Sequence, residues 1–169
     1  MARRRLHNED WGFASNCFVC EPKNASGLRL PFHHDDETAT VDATFTLGNE
    51  FSGAPSYVHG GVTLAVLDEA QAWATIAVGG KFAVTTETTT RFARPVRVGR
   101  PYTVVARVTA QDADHLSTAA EVRNRDGKLC AETTATFAVL GAAQALDALG
   151  ATPAGRDLAY LKDQPPADA

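Results

Sequence analysis

With 169 residues, 44% hydrophobic and 21% charged, the sequence has the size and composition of one globular domain around one core. Its formal net charge of −4, without a segregated basic run, argues against nucleic acid or an anionic membrane surface as the main partner. The longest apolar run, Val62 to Val78, carries Asp68 and Glu69 and falls short of the roughly 20 apolar residues a membrane span needs, so no membrane partner is expected.

Met1-Ala2-Arg3-Arg4-Arg5 has the charge of an export n-region, but Leu6-His7-Asn8-Glu9-Asp10 follows where an apolar h-region should be. The three cysteines, an odd number in a chain of ordinary composition, do not make a disulfide framework. Both features predict a cytoplasmic chain with reduced thiols.

Residues 1–26 mix charge, Asn, Ser and Pro without a period of 2 or 3.6 and read as an irregular lead-in segment. From Gly27, Leu28 to Phe32 and Thr38 to Phe45 alternate apolar with polar and predict a hairpin turning through His33-His34-Asp35-Asp36-Glu37. Gly53 and Pro55 mark a loop before His59-Gly60-Gly61. Val62 to Val78, rich in Ala and Leu and apolar on nearly every face, predicts a helix surrounded by protein and ended by Gly79-Gly80. The runs Phe82 to Phe92, Tyr102 to Thr109, Leu116 to Arg123 and Leu129 to Leu140 are rich in Val, Thr and Phe and predict four strands in a meander, with Asp126-Gly127 as a tight primed turn. Gln144 to Leu149 suits a short helix, and Gln164 to Ala169 should fray. The expected organisation is a lead-in over 1–26, an α+β domain over 27–141 in which an antiparallel sheet wraps one long central helix, and a C-terminal tail over 142–169.

Asp68 and Glu69 interrupt an otherwise apolar helix. A buried lone carboxylate costs several kcal/mol or takes up a proton, and neighbours differ by about 100° around the axis, so the two cannot share one environment. One reading sets both on a narrow stripe with Gln71 and Thr75, paired with arginines. The other starts from Gly60 and Gly61, whose backbone N–H groups stand uncovered at the positive end of the helix dipole. Donors aimed at a developing oxyanion, with a carboxylate that attacks a thioester or activates water, suit acyl transfer to water and need no cofactor.

His59-Gly60-Gly61-Val62-Thr63-Leu64-Ala65-Val66-Leu67-Asp68-Glu69-Ala70 resembles the signature of the PaaI-like hotdog-fold thioesterases: His-Gly-Gly, an apolar helix, and an acid nine residues after the His. Asn16-Cys17-Phe18-Val19-Cys20 with Asn24 and Gly27-Leu28-Arg29-Leu30 is similar to a lead-in of the same group, and Arg94-Pro95-Val96 with Gly99 to the stretch ending its post-helix strand. The likeness spans roughly residues 16–140. It implies an acyl-CoA thioesterase of the hotdog fold, a homodimer with a continuous sheet and two sites at the helix interface, in some cases a homotetramer. It implies Asp68 as nucleophile or general base, the Gly60 N–H of the opposite subunit as oxyanion donor, His59 orienting loop and substrate, and Thr85 holding the attacking water. Gly61 joins the substrate contacts. Many relatives carry Asn or Gln where this chain has Gly53, six residues before the His, so Asn49 or Glu69 is expected to supply a substrate contact instead.

Arg91, Arg94, Arg97 and Arg100 are candidates for the phosphates of coenzyme A, with Arg91 and Arg94 foremost; on a strand a spacing of three alternates faces, so at most two converge. Cys17 and Cys20 have zinc-ligand spacing that His33-His34 could complete, but no second Cys-x-x-Cys exists, and a packing role is the expectation. Trp73 and Phe82 read as core, and His115 with Asp112 and Asp114 as loop. Acyl carrier protein thioesters stay open as substrates. An enoyl-CoA hydratase or dehydratase of this fold, and a non-catalytic acyl-CoA binder, are the rival readings.

Overall fold

The computed structural model describes residues 3–164. Met1 and Ala2 of the basic opening run, and the fraying expected past Gln164, lie outside the described residues.

Seven strands, β1 (Arg3–Arg5), β2 (His33–Asp35), β3 (Thr40–Thr46), β4 (Ala83–Phe92), β5 (Pro101–Gln111), β6 (His115–Asn124) and β7 (Leu129–Val139), form one sheet in the order β1-β2-β3-β5-β6-β7-β4. Every neighbouring pair is antiparallel. Helix α1 (Gly60–Ala77) lies against β3, β4, β5, β6 and β7, and a short α2 (Ala142–Leu149) follows the sheet. This is the α+β hotdog architecture: one long helix wrapped by an antiparallel sheet.

The helix forms because Ala and Leu dominate it and its apolar side chains find cover on most sides; Val66, Leu67, Ala70 and Ala74 are fully buried. Trp73 and Phe82 are core residues, as their apolar surroundings in the sequence predict. Gln71, also buried, keeps its amide satisfied by donating to Thr118 Oγ1 at 2.8 Å. Val41, Val104, Val122, Phe137 and Val139 come from alternate positions of their strands and close the core from the sheet side.

Four expectations need correction. The lead-in is not irregular throughout: Arg3–Arg5 pairs with β2 as an edge strand, and Leu6, Trp11 and Val19 are buried. Apolar side chains spaced without a period still reach the core when turns carry the chain back to it. The first hairpin exists, but its first strand is His33–Asp35, inside the expected turn, because Leu28 and Leu30 are spent on pairing with Phe18 and Val19. The four strands after the helix are not a meander. β4 leaves the helix to pair with β7 at the far edge, and only β5, β6 and β7 follow in sequence. At the β6–β7 hairpin only Gly127 has positive φ, 73°, while Asn124 Oδ1 accepts from the N–H of Asp126 and Lys128. That is a three-residue loop with glycine in the left-handed position, and not a two-residue primed turn.

Candidate active site

Asp68 and Glu69 leave α1 in different directions and enter different chemistry. Asp68 Oδ1 accepts a 2.7 Å hydrogen bond from Thr85 Oγ1 of β4. It has no ion pair among the described residues, so the arginine-paired reading of this helix is not what the structure contains. Asp68 is half-buried, while Thr85 and most of β4 are exposed.

Ahead of the helix, His59 is the N-cap and its Nδ1 accepts from the Gly61 N–H at 2.9 Å. That bond engages the Gly61 donor. The Gly60 N–H, first in the helix, has no partner among the described residues and faces outward on an exposed residue. The Phe92 ring closes over Gly60, 3.8 Å from where a Cβ would stand.

The loop carrying His59 is braced twice. The His59 N–H donates to Phe51 O, and the Val58 N–H donates to Val96 O while Tyr57 bridges Arg97. The Arg94-Pro95-Val96 stretch is thus the strut that fixes the His-Gly-Gly turn, with Val96 buried beneath it. At Gly53 a Cβ would come within 3.2 Å of the His59 Cα and 3.3 Å of its Cδ2. A side chain there would have to displace His59 by a few tenths of an ångström.

The other sequence candidates scatter. Asn49 sits exposed in a 3₁₀ turn (Asn49–Phe51) of the bracing loop, without a side-chain bond to Asp68. Arg91 pairs with Glu132 of β7, Nε to Oε1 2.8 Å. Its register partner alternates with the buried Ala131 and Thr133, so Arg91 is on the outer face of the sheet, opposite Thr85. Arg94 donates from Nη1 to Leu129 O at 2.7 Å, and Arg97 covers the Tyr57 ring. Within one chain, none of these three arginines stands beside Asp68. His115 opens β6, and its N–H and that of Asp114 bond Asp112 Oδ1 in the preceding turn.

Glu69 is in hydrogen-bond contact with Cys17, Sγ to Oε1 3.3 Å, rather than in the Asp68 environment. Burial above all, then the negative charge of Cys17, pushes its carboxyl up to about 8. Cys17 is drawn down to about 5, chiefly by the hydrogen bond from the Cys20 thiol and against the cost of burial, with the backbone N–H groups of Cys20 and Val19 helping; Cys20 is pushed up in turn. His33 and His34, on β2, do not join this cluster. No local pattern points to Glu69 there, since 52 positions separate it from Cys17; the Cys-x-x-Cys spacing is the available signal.

Comparison with known proteins bears on the fold. The family model described as Thioesterase superfamily matches residues 56–131, the stretch from the His-Gly-Gly turn to β7. Over that stretch the chain is similar to the thioesterase superfamily, and its fold is that of the hotdog proteins. A solved thioesterase superfamily protein is 29% identical, with a TM-score of 0.70 over 82% of this chain and 68% of that one. The E. coli PaaI protein from the phenylacetic acid degradation operon is 25% identical, with a TM-score of 0.55 over 59% of this chain and 75% of that one. A Streptococcus mutans protein solved with acetyl-CoA bound is 19% identical and shares the fold, with a TM-score of 0.58 over 61% of this chain and 82% of that one. No curated protein matches the chain. Among the described residues no helix is long and apolar enough to cross a membrane.

Proposed function

We propose that the protein hydrolyses an acyl-CoA to the free acid and coenzyme A, in a site shared by two copies of the chain. The observation carrying this is a separation. Asp68 lies eight residues beyond Gly60 on one straight helix, about 12 Å along the axis. A single thioester carbonyl cannot reach both from the same chain. The Gly60 N–H of a second copy can meet it.

The exposed edge supports such a pairing. β4 is a long edge strand with Val84 45% and Phe92 53% exposed, a surface that invites strand or helix cover from a symmetric partner. In the dimer, the Gly60 N–H and the helix dipole stabilise the oxyanion, and Thr85 aims Asp68 or the water it activates. His59, held by the Gly61 N–H, keeps the turn open for the carbonyl. Asp68 then either takes a proton from water as it attacks, or attacks the thioester carbon itself and is released by water; both routes yield acid and free thiol. The acetyl-CoA held by the Streptococcus mutans relative suggests coenzyme A as the carrier.

Asp68→Asn should lower kcat at least about a hundredfold while the oligomer and its melting temperature persist. Thiol release followed with a chromogenic disulfide measures it, and near-parent turnover would refute the assignment. Single turnover in ¹⁸O-water tests the second route: label in the Asp68 carboxyl marks direct attack followed by water entry at the Asp68 carbon, with an unlabelled aspartate oxygen carried into the product acid.

A further inference from the structure

Cys17, Cys20 and Glu69 form the one group of metal-capable side chains among the described residues, their ligand atoms all within 4.8 Å of one another. The loop presenting the thiols is built to hold them. Asn24 donates from Nδ2 to Asn16 O at 3.1 Å and accepts at Oδ1 from the Ser26 N–H, and the N–H of Leu28 and Leu30 tie the loop ends to Phe18 and Val19. A Cβ on Gly27 would strike Phe18 O at 2.5 Å, so the two limbs close on bare backbone.

Each sulfur also meets the donors a bound thiolate needs. The N–H groups of Val19 and Cys20 point at Cys17 Sγ, 3.3 and 3.5 Å away, and Asn8 Nδ2 points at Cys20 Sγ from 3.7 Å. Such N–H···S contacts orient sulfur lone pairs and offset thiolate charge around a metal. The third corner has matching dimensions: Cys17 Sγ to Glu69 Oε1 is 3.3 Å, against about 3.5 Å between sulfur and oxygen ligands of tetrahedral zinc with ordinary bond lengths. Access exists as well. Cys20 lines a cavity of about 200 Å³ with Asn8 and Trp73, and the buried Trp73 indole N–H is without a partner. A water filling a fourth coordination position has room there.

We propose that Cys17, Cys20 and Glu69 bind one divalent cation of the zinc class, fastening the N-terminal loop to the central helix. Two thiolates and one carboxylate select a borderline metal over magnesium or calcium, which favour all-oxygen sets. On binding, whatever protons the two sulfurs and the Glu69 carboxyl hold pass to solvent, and no electrons move. The ion is structural, because its carboxylate ligand leaves the helix away from Asp68.

The test uses the full chain, reduced and stripped with chelator, then titrated anaerobically with cobalt(II). Expected are one cobalt per chain, intense sulfur-to-cobalt charge-transfer absorption, displacement by equimolar zinc, and a higher melting temperature with zinc. Glu69→Gln should weaken binding about tenfold to a hundredfold with the thiolate band retained, and Cys130→Ser should change nothing. Should Cys17→Ser fail to fold, the parent spectrum and the Glu69→Gln titration still decide. No thiolate band in the parent, or equal affinity in Glu69→Gln, would overturn the site.

Discussion

Asp68 and Glu69 are chemically near-identical neighbours, yet the fold gives them opposite lives. Asp68 emerges toward an exposed edge strand and accepts from one hydroxyl, with no ion pair among the described residues. Glu69, about 100° around the same helix, is pressed against two thiols of the N-terminal loop, and burial raises its proton affinity. A carboxylate does work on a substrate only where substrate and water can reach it. The comparison therefore supports the hydrolytic role proposed for the first residue and the cohesive role proposed for the second.

Exchanging each for its amide should split these roles. The largest effect is the loss of at least about a hundredfold in kcat expected for Asp68→Asn, against a change within about threefold for Glu69→Gln below pH 8. Equal losses in the two variants would erase the distinction. An intermediate effect belongs to Thr85. Thr85→Ala should cost about tenfold in kcat by freeing the Asp68 carboxylate, and Thr85→Ser should recover most of it; a KM change alone would make Thr85 a binding residue instead.

The smallest effect is on stability and depends on pH. Folded Glu69 keeps its proton to about 8, whereas in the unfolded chain it ionises near its ordinary 4.5. The folded state binds the extra proton between those values, so this contribution is complete below about 4.5 and is lost as pH rises through about 8. In metal-stripped protein, Glu69→Gln should thus gain stability relative to the parent as pH climbs across that window, and then level off. Denaturant melts at several pH values measure it, and a constant difference would contradict the raised proton affinity.

Much of this was legible in the sequence because it is local. The helix, the Val- and Thr-rich strands after it, and the His-Gly-Gly turn are written in consecutive residues, and the run from His59 to Asp68 fixes the acid's place. Thr85 followed from the same resemblance. What escaped depends on distant pairing. Arg3–Arg5 and His33–Asp35 have no strand pattern of their own and become strands only by lying against β3. The place of β4 at the far edge is a choice among strand partners that no local pattern encodes. Arg91 looked available for phosphate until the pairing with β7 gave it Glu132. Cys17 and Cys20 were visible as a pair, but Glu69 reaches them only through the packing of the lead-in on the helix.

The central claim is that Asp68 of one chain works with the Gly60 N–H of another. Gly60→Pro removes that donor with little disturbance, since proline suits the first helical position and His59, at φ −57° and ψ 135°, already has the conformation a residue before proline adopts. Gly60→Pro and Asp68→Asn should each be inactive alone. Unfolded together and refolded at equal ratio, they should regain about a quarter of parent activity, because half the dimers are then mixed and each mixed dimer holds one intact site. Mixed dimers confirmed by mass yet devoid of activity would mean that both groups act within one chain, and would contradict the account.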